Sequence, residues 1–131
     1  IGILAAIAIP SYASYIERSQ ITEGLIVSEG IRSEIGIYVW ENKHFPNVAE
    51  VATTGNIGMQ ANAIDGKYVA THGVSVTANT GVITVNFDSV HIAGEMLILT
   101  PDINSANSQQ IVKWVCSGTV VTDNLPSSCQ D

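Results

Sequence analysis

The feature that most constrains this chain is its opening stretch, "IGILAAIAIPSYASYIERSQ", residues 1–20. Residues 1–9 are uniformly apolar, yet they supply only about half of the ~20 residues that a helix needs to cross a bilayer. The run carries no basic segment before it and no small-x-small cleavage site after it, so it does not read as a signal peptide; it reads as the back part of a longer apolar segment. Pro10 stands where the apolar part ends. Proline lacks an N–H and its ring clashes with the carbonyl four residues earlier, here Ala6, at a cost of about 3 kcal/mol or more in a regular helix. The pattern beyond Pro10 nevertheless remains helical while turning polar. A single subunit has nowhere to hide such a head, which must lie in lipid or among other helices.

Residues 11–42 predict a continuing helix. Ile21, Leu25, Ile31, Ile35 and Val39 approximate a helical stripe, with Ser28 filling its gap. Gly24, Gly30 and Gly36 work against it, each by roughly 1 kcal/mol relative to Ala. "IGIYVW" at 35–40 also alternates like a strand, but no turn signal separates it from the stripe, which favours helix. "ENKHFPNVAE" at 41–50 is a stop, with Asn42 able to cap and Pro46 opposing continuation. A connecting loop with room for one short helical turn follows to Gly66. The period then switches to two. Strands are expected at 67–78, 81–87, 95–100 and 111–116, separated by turn chemistry such as "ANTG" and "PDINSANSQQ". In the second, Ile83, Val85 and Phe87 share a face; in the fourth, Val112, Trp114 and Cys116 do. The expected fold is α+β: a long N-terminal helix packed on a four-stranded antiparallel sheet. It divides into a hydrophobic helix segment at 1–20 and a globular head at 21–131.

Five Lys and Arg against twelve Asp and Glu give a formal charge of −7. The cations are scattered (Arg18, Arg32, Lys43, Lys67, Lys113), so bulk nucleic-acid binding, which rests on basic side chains neutralising phosphates, is not expected. A mean hydropathy of +0.26 suits a protein that buries surface in a membrane or in neighbours. Cys116 and Cys129 enclose twelve residues, "SGTVVTDNLPSS". Two thiols cannot make a four-ligand zinc site, and no C-x-x-C motif occurs. They are either two buried free thiols or a disulfide closing a polar loop. The loop-like composition favours the disulfide, worth roughly 3 kcal/mol for a loop of this size and implying an oxidising compartment.

Nothing in the chain composes a catalytic site. His44, His72 and His91 lie in separate segments without metal-ligand spacing and read as surface or loop residues. No nucleophile elbow, zincin, Walker or dinucleotide motif is present. Asp102 with Asn104 and Asn107 could coordinate calcium, but hydrated turn chemistry accounts for them more simply. No cofactor and no metal are expected. The informative feature is architectural: apolar helices bundled with copies of themselves give an oligomer, and head-to-tail packing that does not close gives a filament.

"IGILAAIAIPSYASYIERSQITEG" closely resembles the N-terminal segment of type IV pilins, beginning roughly a dozen residues into the mature subunit. The match rests on "GILAAIAIP", the Tyr12 and Tyr15 spacing and the following "RSQ". "NKHFP" resembles the segment after the pilin helix, and Cys116 with Cys129 resemble the pair bounding the family's C-terminal loop. Close similarity spans about the first 25 residues, and the order of elements matches throughout. The resemblance implies a subunit of a type IVa pilus of a Gram-negative bacterium, held in the inner membrane, processed by a prepilin peptidase and polymerised by an assembly machine. The homopolymer would serve surface adhesion, twitching motility or DNA uptake. Ile1, Gly2, Ile3, Leu4, Ala5, Ala6, Ile7, Ala8, Ile9 and Pro10 would form the membrane or filament-core helix. Between Gly2 and Pro10 the helix would loosen on assembly, remaining a kinked helix in a monomer.

Three rivals are distinguishable. A type II secretion pseudopilin would carry calcium near Asp102 and unpaired cysteines. A minor pilin acting as tip adhesin or DNA receptor would present a basic stripe or groove. A membrane-anchored enzyme would need perturbed titratable groups converging in one pocket.

Overall fold

The computed structural model describes residues 2–104, 110–120, 125, 126 and 129, with side chains from Tyr15 onward. Helix α1 runs from Gly2 to Val27 and α2 from Glu29 to Asn42, separated only at Ser28. At 1.5 Å per residue α1 is about 39 Å long. The stripe forms one buried ridge through both helices: Ile21, Ser28, Ile31, Ile35 and Val39 are each at most 2% exposed. Residues 35–40 are helical, because Ile35 and Val39 continue that ridge four residues apart. Burying an Ile or Val side chain contributes about 1.5–3 kcal/mol, enough to offset the glycines on the same helix.

Helix α2 ends at Asn42 and is capped by Lys43, which takes the left-handed conformation with φ 65° and donates its N–H to the Val39 carbonyl. Asn42 contributes through its side chain instead, Nδ2 donating to the Tyr38 carbonyl at 3.0 Å. The connecting segment is more ordered than its sequence suggests. It holds two short helices, α3 (Val48–Val51) and α4 (Asn56–Asn62). Asn47 caps α3, its side chain accepting from the Glu50 N–H at 3.1 Å. Helix α4 buries Ile57 and Ala61 in the main core. Little apolar periodicity was legible there because four- and seven-residue helices show too few turns for one.

The sheet comprises β1 (Val69–Val76), β2 (Ile83–Phe87), β3 (Met96–Ile103) and β4 (Ile111–Gly118), antiparallel throughout in the order β1-β2-β3-β4. Ile83, Val85 and Phe87 turn one face of β2 into the core, at 0–3% exposure, opposite Leu97 and Leu99 of β3. Strand β1 is interrupted: between the Val69–Phe87 and Val74–Val85 pairs the register shifts. His72 sits in this interruption with φ 55°. Gly73 is there because a Cβ would lie 2.7 Å from the Ala70 carbonyl oxygen and 2.9 Å from that of Asn86.

Strand β4 departs from its simple alternation. Trp114 and Cys116 pack against the core, whereas Val112 is 56% exposed. The ladder shifts register between Asp102 and Ile103, opposite Lys113 and Ile111, so alternation does not carry through to Val112. Strand β3 extends through Pro101, three residues past its expected end. The turn expected from Pro101 onward starts later, because Pro101 and Asp102 pair with Trp114 and Lys113 of β4.

Candidate assembly surfaces

The head grips the helix from Gln20 onward. Gln20, 6% exposed, accepts a hydrogen bond from Ser89 across 69 residues of sequence. One turn on, Glu23 Oε1 accepts from the Tyr68 backbone N–H at 2.8 Å, tying α1 to the lead-in of β1. Gly24 faces the sheet so closely that an added Cβ would stand 2.5 Å from Phe87 Cζ. Upstream of this grip Tyr15 is 69% exposed.

At Ser28 the two helices join through side chains. Its buried Oγ donates to the Leu25 carbonyl at 2.9 Å, and Arg32 Nη2 donates to the same oxygen at 2.8 Å. This explains why Ser fills the gap in an otherwise apolar stripe: the hydroxyl serves a carbonyl at the break. Burial pulls the Arg32 guanidinium below its ordinary value, with Glu29 opposing the shift. Nε of Arg32 is buried without a hydrogen-bond partner. Sequence reasoning did not single out Arg32; the available signal was a cation placed one position from the buried Ile31.

On the outer side of α2 a second stripe faces β4, the end strand of the sheet. Two adjoining hollows of about 330 and 400 Å³ open between them, sharing Ser33, Gly36 and Ile111. Ile37 (53%), Trp40 (59%) and Val112 (56%) are exposed along this groove. Lys43 Nζ lies 4.3 Å from the Trp40 ring centroid, a cation–π contact.

Cys116 and Cys129 form a disulfide with Cα atoms 5.2 Å apart. This pairing removes the unpaired-cysteine condition on which the pseudopilin reading rested. The described part of the enclosed loop is fastened inward: Val120, Leu125 and Cys129 are buried in the main core. The three histidines are exposed and separate. Nδ1 of His44 lies 2.8 Å from the Phe45 carbonyl oxygen, and that of His72 lies 3.0 Å from the Asn62 carbonyl oxygen. Asp102 is exposed and pairs across the ladder with Lys113; Asn104 accepts its place in the turn by donating its N–H to Gln110, and Asn107 lies outside the described residues. Among the described residues no group of three metal-ligating side chains occurs.

The backbone is helical on both sides of Pro10 and from Gly2 onward. Ile1 lies outside the described residues, as do the side chains of Gly2 through Pro10. Among the described residues no helix is long and apolar enough to cross a membrane.

Comparison with known proteins gives a consistent result. A family model for pilin, a bacterial filament protein, matches residues 17–130. The fimbrial protein EcpC of Eikenella corrodens is 33% identical over 131 residues, covering 100% of this chain and 82% of that protein. The type IV major pilin protein PilE1 of Neisseria gonorrhoeae is also 33% identical, over 95% of this chain and 54% of its own length. A fimbrial protein of Neisseria meningitidis serogroup B is 30% identical over 100% of this chain and 72% of its own. The family match covers the head and the helix that enters it, overlapping only the last residues of the opening segment that first resembled pilins. The chain therefore belongs to the pilin family and is a type IV pilin, a structural subunit of a pilus filament on the cell surface.

Proposed function

We propose that this chain is the major subunit of a homopolymeric type IVa pilus of a Gram-negative bacterium, with residues 1–20 as its assembly and membrane segment and 21–131 as its head. The observation that carries this reading is the apolar run up to Pro10 joined to a helix that buries side chains in the head at Gln20 and Ile21. Before assembly the apolar run lies in the inner membrane, where a prepilin peptidase and the assembly machinery receive it. After assembly it is surrounded by its counterparts from other subunits. Pro10 and Gly2 mark where the helix loosens. In lipid a freed carbonyl has no water to bond, which holds the helix together. Among packed neighbours that constraint is weaker, and the Pro10 penalty then favours opening.

The filament serves adhesion, twitching motility or DNA uptake through the outer surfaces of its heads. A net charge of −7 favours the first two, since bare electrostatics repel nucleic acid. Shearing filaments from cells and identifying the dominant subunit by mass tests the assignment. Thin filaments composed mainly of this chain are expected; its presence only as a trace in filaments of another subunit would make it a minor pilin.

A further inference from the structure

We propose that the groove between α2 and β4 is the docking site for the head of a second copy of this chain, which places a side-chain carboxylate against the Arg32 guanidinium. The inference rests on the filament reading, because polymerisation brings identical heads side by side. Three observations support the choice of occupant. First, large apolar side chains stand in the groove where a folded monomer gains nothing from them: Ile37 and Trp40 in one hollow and Val112 in the other, charged one are each more than half exposed. Exposed large apolar side chains gathered on facing elements, α2 and β4, mark an interaction surface.

Second, Arg32 is left short of acceptors. Its Nη2 is held by the Leu25 carbonyl, while its Nε is buried with no partner. A half-buried guanidinium in this state costs the isolated subunit desolvation, and an incoming carboxylate would meet its charge where Arg32 lines the hollow. Third, charge is distributed unevenly. Of only five basic side chains, Arg32 and Lys113 line one hollow of the groove, and Lys43 stands over Trp40 of the other. Glu29 in the same hollow as Arg32 offsets part of that charge. Twelve carboxylate side chains per chain make a neighbouring copy the complementary surface, whereas a basic partner would be repelled by these cations and the net charge of −7 disfavours nucleic acid. The groove is also continuous with the assembling element, since α2 prolongs α1 with a single-residue break.

The test uses cells that assemble the pilus. A photo-crosslinking amino acid placed at the exposed Ser33 should yield, in intact filaments, an adduct of two copies of the subunit. Intact filaments without that adduct, or an adduct to a different protein, would overturn the proposal. Ile37→Glu puts an acid into the groove at an exposed helical position with good helix propensity. It should leave subunit level and disulfide formation unchanged while lowering sheared-filament yield by about tenfold or more, in line with like-charge juxtaposition costing more than a kcal/mol. Arg32→Gln should lower the yield similarly, with Arg32→Lys intermediate. Parental yield in both Ile37→Glu and Arg32→Gln would refute the groove. Absence of filaments from the parent chain itself would instead refute the filament reading.

Discussion

Two glycines on either side of the Ser28 break show how the same residue type does opposite things. Gly24 and Gly30 both read as helix-weakening positions in the sequence, and nothing there distinguishes them. Packing does: a Cβ at Gly24 would collide with the buried ring of Phe87, whereas one at Gly30 would meet nothing within 4 Å. Gly24→Ala is therefore expected to destabilise by about 1–2 kcal/mol, the overpacking cost less the helix gain. Gly30→Ala is expected to stabilise by up to about 1 kcal/mol. Thermal unfolding of the detergent-solubilised subunit checks both, and equal shifts of the same sign would show that the α1–β2 approach is looser than described. Ser28 teaches a related lesson. Its place in the stripe was visible in the sequence, but its task, donating to Leu25 alongside Arg32, depends on where the helix breaks.

Among the elements, those with long and regular patterns were legible and those set by tertiary context were not. The α1–α2 ridge and the inward face of β2 follow from spacing alone, because 3.6- and 2-residue periods leave few alternatives over that length. The interruption in β1 and the register shift opposite β4 follow from partners distant in sequence, while the two short helices after Pro46 are too brief to show a period. The groove escaped notice for the same reason: Ile37 and Trp40 read as ordinary helix residues until β4 is laid beside them. The pairing of the cysteines was legible from the loop-like residues between them, and the structure adds that the loop is anchored by Val120 and Leu125 in the core. Replacing both cysteines by serine is expected to cost about 2–5 kcal/mol. Limited proteolysis should then cut first between residues 117 and 128, with the sheet persisting. An unchanged melting temperature would mean that the buried loop anchors alone hold this region.

At the scale of the whole molecule, head and helix answer to different surroundings. The head closes its own core: α1 from Gln20, α2, α4 and the four strands bury one connected set of side chains. The opening run is read from its sequence, an apolar stretch ending at Pro10 that calls for lipid or other helices around it. The opposing demands on Pro10, helix in lipid and release among neighbours, link the membrane-held subunit to the assembled one. A Pro10→Ala subunit should keep a continuous helix in both settings, and hydrogen exchange of residues 2–10 within purified filaments should slow relative to the parent. Equal exchange in the two filaments would separate Pro10 from the loosening. The account as a whole is tested most directly by an electron cryomicroscopy map of the purified filament at side-chain resolution. It should show residues 2–20 of each subunit bundled along the filament axis, with the helical hydrogen-bond ladder open between Gly2 and Pro10. A filament core built from the heads, or a regular unbroken helix through residues 2–10, would contradict it.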